Sequence, residues 1–174
     1  MENFPIFIDI GSKPVIVVGG GTIALRKVIL LSKANPKITV ISENICLELR
    51  ELLKKHRGKF IKKSFSEKDI KNPILIIAAT NNIKVNKEIY RVANKRNIPI
   101  NVVDQPKLCS FTMGSIIERD ALVIAITSGG KAPVLARILR EKIEAFIPAS
   151  YAGLVNYVGD LRKLVKKNIR SGNK

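Results

Sequence analysis

Val17-Val18-Gly19-Gly20-Gly21-Thr22-Ile23-Ala24 decides how the first half of this chain folds. A short apolar, β-branched run, Lys13 to Val18, ends in three glycines. A helical pattern from Thr22 to Lys33 opens directly after them, with Ile23, Val28, Leu30 and Leu31 on its apolar face. Gly19, Gly21 and Ala24 fall on the spacing G-x-G-x-x-[GA] of a dinucleotide fingerprint between strand and helix. Each position has a physical reason: Gly19 permits the tight turn, Gly21 lets the backbone approach a diphosphate, and Ala24 lets the helix pack closely on the strand. The amides at the start of the helix then face the phosphates. The alternative is a glycine-rich strand-to-helix turn that binds nothing.

Outward from that stretch, strands and helices alternate. Asn35-Pro36 stops the first helix, Ile38 to Ile41 reads as the second strand, and a charged helix follows from Leu47 to His56. Lys59 to Ser64 is a candidate third strand. Pro73 opens Ile74-Leu75-Ile76-Ile77-Ala78-Ala79, an unbroken apolar run of the kind expected of a strand covered on both faces. Thr80-Asn81-Asn82 ends it, a helix covers Lys84 to Lys95, and Pro99 to Val103 is a fifth strand closing at Asp104. This alternation predicts an α/β fold with a Rossmann-like parallel sheet over residues 1–113. Beyond it the pattern changes. Ser115 to Ile117 and Ala121 to Thr127 read as two strands turning at Arg119-Asp120, and Ser128-Gly129-Gly130 leads into a helix from Pro133 to Phe146. Leu135, Ile138, Leu139, Ile143 and Phe146 form its apolar stripe. Pro148 stops that helix and Ala152 to Lys167 forms a last one, so a small α+β segment over 114–148 and a short helical tail over 149–174 follow the sheet.

Composition narrows the classes of function. The 174 residues carry 31 Lys and Arg against 14 Asp and Glu, a formal net charge of +17. Such a chain binds nucleic acid, faces anionic lipid, collects a polyanionic small molecule, or reflects compositional drift toward Lys, Ile and Asn. The lysines are scattered, which favours drift over a built nucleic-acid surface. No apolar run approaches the roughly 20 residues that span a bilayer, and Met1 to Phe7 does not resemble a signal peptide. The expectation is therefore a cytoplasmic chain with no membrane contact. Cys46 and Cys109 suit neither a disulfide framework nor a metal cluster, and no metal site is expected. His56, the lone histidine, reads as a surface residue.

Candidate site residues follow from the ends of the strands, where ligands lie in open α/β sheets. After the second strand, Glu43 or Asn44 can hydrogen-bond the adenosine ribose; no arginine adjoins them to favour a 2′-phosphate, so NAD is preferred over NADP. Glu43 serves equally as a carboxylate at a helix N-terminus. Thr80 stands at the end of the fourth strand, as a ligand contact or as part of a polar turn. Asp104 is the only carboxylate following the fifth strand: a general base near the nicotinamide, or a turn residue before Pro106. Ser128-Gly129-Gly130-Lys131 opens a helix and forms either an anion site or a simple cap.

Together these blocks resemble a known family. Phe4-Pro5-Ile6-Phe7, Gly19-Gly20-Gly21 with Ala24 and Arg26-Lys27, Ala78-Ala79-Thr80-Asn81, Asn101-Val102-Val103-Asp104, and Ser128-Gly129-Gly130 through Pro133-Val134-Leu135-Ala136-Arg137 are similar, in order, to the precorrin-2 dehydrogenase half of siroheme synthase. The resemblance covers roughly residues 4 to 165. It implies oxidation of precorrin-2 to sirohydrochlorin with NAD+ as hydride acceptor, with Asp104 as catalytic base and Thr22-Ile23 and Glu43-Asn44 on the cofactor. It further implies Ser128 at the active-site entrance, phosphorylated in some members, and an intertwined homodimer in which 114–148 is the dimerisation segment. Precorrin-2 carries eight carboxylates, for which Arg119, Lys131 and Arg137 are candidate partners alongside Ser128. Some members also insert iron into sirohydrochlorin, a step for which the sequence offers no clear ligand. One departure is Gly114, where the family usually has proline. Two other readings stand beside the dehydrogenase: a non-catalytic NAD-sensing regulatory domain, against which the Asn101 to Asp104 and Ser128 to Arg137 blocks argue, and a nucleic-acid binder suggested by charge alone.

Overall fold

A computed structural model describes residues 3–171, which divide into two compact units, Met1–Thr112 and Met113–Lys174. The first unit is a five-stranded, wholly parallel sheet. Its strands are β1 (Pro14–Val18), β2 (Lys37–Ser42), β3 (Lys59–Lys62), β4 (Leu75–Ala78) and β5 (Ile100–Val102), in the spatial order β3-β2-β1-β4-β5. Helices α1 (Thr22–Ser32), α2 (Leu47–Lys55) and α3 (Ile83–Lys95) connect β1 to β2, β2 to β3 and β4 to β5. The order places β1 and β4 at the centre, and their residues Val15 to Val18 and Leu75 to Ala78 are all buried. That explains the unbroken apolar runs: a central strand of a parallel sheet has no solvent face on which polar residues could alternate.

The chain leaves β1 toward β2 and β3, then returns to β4 and β5 on the other side. The reversal lies between β1 and β4, the position at which a crevice opens at the carboxyl ends of the strands. The third strand is shorter than the sequence suggests, ending at Lys62, and a single 3-10 turn over Glu67–Asp69 follows it. A second such turn, Pro106–Leu108, follows β5. Behind it, Ser110 accepts from the Ile100 amide through its hydroxyl at 2.8 Å, and buried Asn101 donates to the Phe111 carbonyl at 3.0 Å. Asn101 thus holds the loop after β5 in place.

The second unit contains an antiparallel pair, β6 (Ser115–Arg119) and β7 (Leu122–Ile126), then α4 (Pro133–Phe146) and α5 (Tyr151–Ser171). The hairpin turns on Asp120 and Ala121, with Asp120 at φ 56°, one residue later than the sequence suggests. Arg119 pairs with Leu122 in the ladder and so belongs to β6. A Cβ added at Gly114 would meet the Ile126 carbonyl oxygen at 2.6 Å, so the path into β6 has no room for the proline common in the resembling family. Of the hydrophobic residues described in this unit, Ile117 and Ala136 are the buried ones. No helix among the described residues is long and apolar enough to cross a membrane.

Candidate functional site

The three glycines each face a different neighbour. Gly19 has φ 121°, and a Cβ there would lie 2.2 Å from the Ala79 carbonyl oxygen; its amide donates to Ile41 at 2.9 Å. Gly20 passes against the α2 entry: a Cβ would lie 1.9 Å from the Asn44 carbonyl oxygen, and the Cys46 amide donates to Gly20 at 2.8 Å. The first two glycines therefore exist so that β1, β2 and β4 can converge at their carboxyl ends. Gly21 differs, since a Cβ there would meet nothing within 4 Å. No neighbour within the chain demands a glycine at that position. The open space, together with an α1 N-terminus that no side chain caps and that holds no acidic residue in its first turn, fits the approach of an anionic group.

The cleft above these glycines has a volume of about 650 Å³. Gly19, Gly20, Gly21, Thr22, Ile23, Glu43, Asn44 and Thr80 all line it. Glu43 accepts a hydrogen bond from the Ser64 hydroxyl. Thr80 is held by Asn86, a nearly fully buried residue of α3: the Thr80 hydroxyl donates to Asn86 Oδ1 at 2.7 Å, and Asn86 Nδ2 donates to the Thr80 carbonyl at 3.0 Å. Asn82 caps α3, its Oδ1 accepting from Lys84 and Val85 at 3.0 and 3.2 Å. The polar turn that caps α3 thus also forms part of the cleft lining.

Asp104 is exposed at the end of β5 and is not among the residues lining the cleft. Its φ of 58° puts it in the left-handed region that Asp tolerates, and the Val103 amide, bonded to Ala78 at 2.9 Å, ties it to the end of β4. Lys27, half-buried on α1, lies within electrostatic reach of both Asp104 and Cys109. Burial pushes the Lys27 ammonium below the usual lysine range, against the pull of Asp104 and then of Cys109. Sequence reasoning quoted Lys27 but gave it no role, and it missed Asn86, Lys63 and Ser64 altogether. Among the described residues, no three His, Cys, Asp or Glu side chains gather as a metal group would require.

In the second unit, Ser128 accepts from the Ala132 amide at 2.9 Å through its hydroxyl, at the entry to α4. Gly129 and Gly130 have φ of 64° and 83°, and Lys131 and Arg137 are exposed nearby in sequence. Arg119 is different. Its guanidinium donates to the Ile147 carbonyl at 2.8 Å, to the Glu118 carbonyl at 2.9 Å and to Glu144 at 3.3 Å, and it is largely buried. Arg119 clasps the hairpin to the end of α4, and its donors are committed there rather than offered to a substrate carboxylate.

The match to known proteins runs over nearly the whole chain. Residues 6–115 match a family described as putative NAD(P)-binding, and residues 119–145 match the sirohaem biosynthesis protein central segment. The siroheme synthase of Vesicomyosocius okutanii is 46% identical over 166 residues, covering 95% of this chain and 36% of that protein. That of Methylobacillus flagellatus is 44% identical over 172 residues, 99% of this chain and 37% of that protein. The chain spans just over a third of the length of these relatives. Among solved structures, SirC, a precorrin-2 dehydrogenase, matches with a TM-score of 0.78 and 26% identity, over 94% of this chain and 81% of that one. The chain therefore belongs to the putative NAD(P)-binding family that its residues 6–115 match.

Proposed function

We propose that the chain oxidises precorrin-2 to sirohydrochlorin with NAD+ as the hydride acceptor. The observation that carries this reading is the cleft at the β1–β4 reversal, lined by the glycine turn and by Glu43, Asn44 and Thr80. Its likeness to a precorrin-2 dehydrogenase over nearly the whole chain supplies the substrate. The uncapped amides of α1 and the open face of Gly21 hold the diphosphate, and Glu43 or Asn44 accepts from the adenosine ribose. NAD+ held by these residues would supply the hydride acceptor. One proton must leave the macrocycle for each hydride transferred, and Asp104 is the residue that takes it. Its exposed carboxylate at the end of β5 remains open to a large substrate.

The substrate carboxylates are met by Ser128, Lys131 and Arg137 at the opening of α4. Arg119 is left out of that set because its donors hold the hairpin. Residues 114–148 serve as the dimerisation segment of a homodimer and 149–174, of which 172–174 lie outside the described residues, as its tail; the exposed apolar residues Val134, Leu135 and Ile138 of α4 and Leu154, Tyr157 and Leu161 of α5 support this. The reaction is placed in the cytoplasm, where the free thiols of Cys46 and Cys109 suit a reducing medium.

The test is anaerobic incubation of the purified chain with precorrin-2 and NAD+, following sirohydrochlorin and NADH together. The expected result is equimolar formation of both. NADH binding without turnover would replace this reading by a sensing module.

A further inference from the structure

The residues that the sequence left unassigned at the cleft come from the end of β3. Parallel pairing sets Ser42 beside Lys62, and the Lys63 amide continues the ladder to the Ser42 carbonyl at 3.2 Å. The next residues on each strand, Glu43 and Lys63, therefore meet at the same rim, and Glu43, Asn44, Lys63 and Ser64 all line the cleft. Lys63 is the only cation among the described residues lining it, and Glu43 the only anion. Neither is left loose. Ser64 donates its hydroxyl to Glu43 Oε1, and the Lys63 ammonium lies 2.7 Å from Asp69 Oδ1.

Asp69 is itself fixed. Its side chain is 12% exposed, its Oδ2 accepts from the Ser66 amide at 2.9 Å, and the Asp69 amide donates in return to the Ser66 side chain in a reciprocal cap of the 3-10 turn. A wholly exposed ion pair would hold Lys63 weakly. A carboxylate already immobilised by the cap avoids that ordering cost on its side of the pair.

We propose that the loop closing β3 selects the dinucleotide: Ser64 fastens Glu43 as an acceptor for free ribose hydroxyls, and Asp69 neutralises Lys63, so that NAD is taken and its 2′-phosphorylated analogue refused. The inference rests on the dinucleotide reading given above. A 2′-phosphate needs an uncommitted cation and no facing carboxylate. At this rim it meets the reverse: an anion held in place and a cation already paired.

Calorimetric titration of the folded, full chain with NADH and with NADPH tests this without any turnover. The unaltered protein is expected to bind NADH at least about tenfold more tightly than NADPH. Asp69→Asn keeps an oxygen for the Ser66 amide but releases Lys63, and should raise NADPH affinity roughly tenfold while NADH affinity stays within about twofold. Adding Lys63→Met to that variant should restore the original preference. Glu43→Gln, which leaves the cap of the 3-10 turn intact, should narrow the same ratio even if Asp69→Asn folds poorly. Equal affinities in the unaltered protein, or a ratio that neither variant moves, would overturn the proposal. An unaltered, folded protein that takes up neither dinucleotide overturns the functional reading beneath it instead.

Discussion

Gly21→Ala separates the needs of the fold from those of the ligand. Gly21 stands at the N-cap of α1 with φ −89° and ψ −171°, extended backbone that alanine adopts without strain, and an added Cβ meets nothing within 4 Å. Alanine caps a helix less well than glycine, by roughly 0.5–1 kcal/mol, but restricts the unfolded chain by about 0.4–1 kcal/mol, so the two effects nearly cancel. The net change should stay within about 0.5 kcal/mol, roughly 2 °C in Tm for a chain of this size. The methyl group would stand where the diphosphate approaches the backbone. Losing one charge-assisted hydrogen bond there costs about 1.5–3 kcal/mol, or roughly a 10- to 150-fold rise in Kd for NADH. Thermal unfolding and NADH calorimetry on the same preparation measure both quantities. Gly20→Ala is the contrast, since its Cβ would lie 1.9 Å from the Asn44 oxygen and must displace the entry to α2. That variant should lose stability outright. A Gly21→Ala protein that binds NADH normally would refute the reasoning, because the open face of Gly21 would then not be where the diphosphate lies.

Three further outcomes are expected. Asp104→Asn should lower kcat by about 10²- to 10⁴-fold with NADH affinity unchanged, as read by single-turnover kinetics beside calorimetry; a normal rate would remove Asp104 from proton transfer. Lys27 titrates below the usual lysine value in the fold, so its burial penalty is fully present below the lowered value and fades as pH rises toward 10.5. Lys27→Met should therefore raise Tm more at pH 7 than near pH 10.5, and a difference that grows with pH would contradict the burial argument. Arg119→Ala removes the clasp on Ile147 and Glu144 and should cost about 1.5–3 kcal/mol in the thermal melt. Its KM for the tetrapyrrole should stay within about twofold; a large rise in KM at unchanged stability would return Arg119 to the substrate-binding set.

Several features of the fold were legible because they depend on near neighbours in sequence. Ile74 to Ala79 has no polar position, and the structure shows why: β4 lies between β1 and β5 and every residue from Leu75 to Ala78 is buried. The turn Gly19-Gly20-Gly21 was equally readable, although the roles divide differently from the fingerprint's usual account. Gly20, which that account leaves as a free position, is pressed hardest, against Asn44. That contact joins residues far apart in sequence, and no local pattern reports it.

The rim chemistry was hidden for the same reason. From sequence alone, Glu43 had no cation beside it, and NAD followed from the lack of a neighbouring arginine. The parallel pairing of β2 with β3 then delivers Lys63 to that very rim. A lysine that on its own would favour a phosphorylated ribose thus stands in the cleft, paired with Asp69. Net charge misleads in a related way. The chain carries +17, yet its dinucleotide cleft is lined by one cation, already paired, and one anion. The excess positive charge therefore lies outside the cofactor cleft. Long-range attraction of anionic ligands by that charge should weaken as salt rises, while the short contacts that line the cleft are screened less.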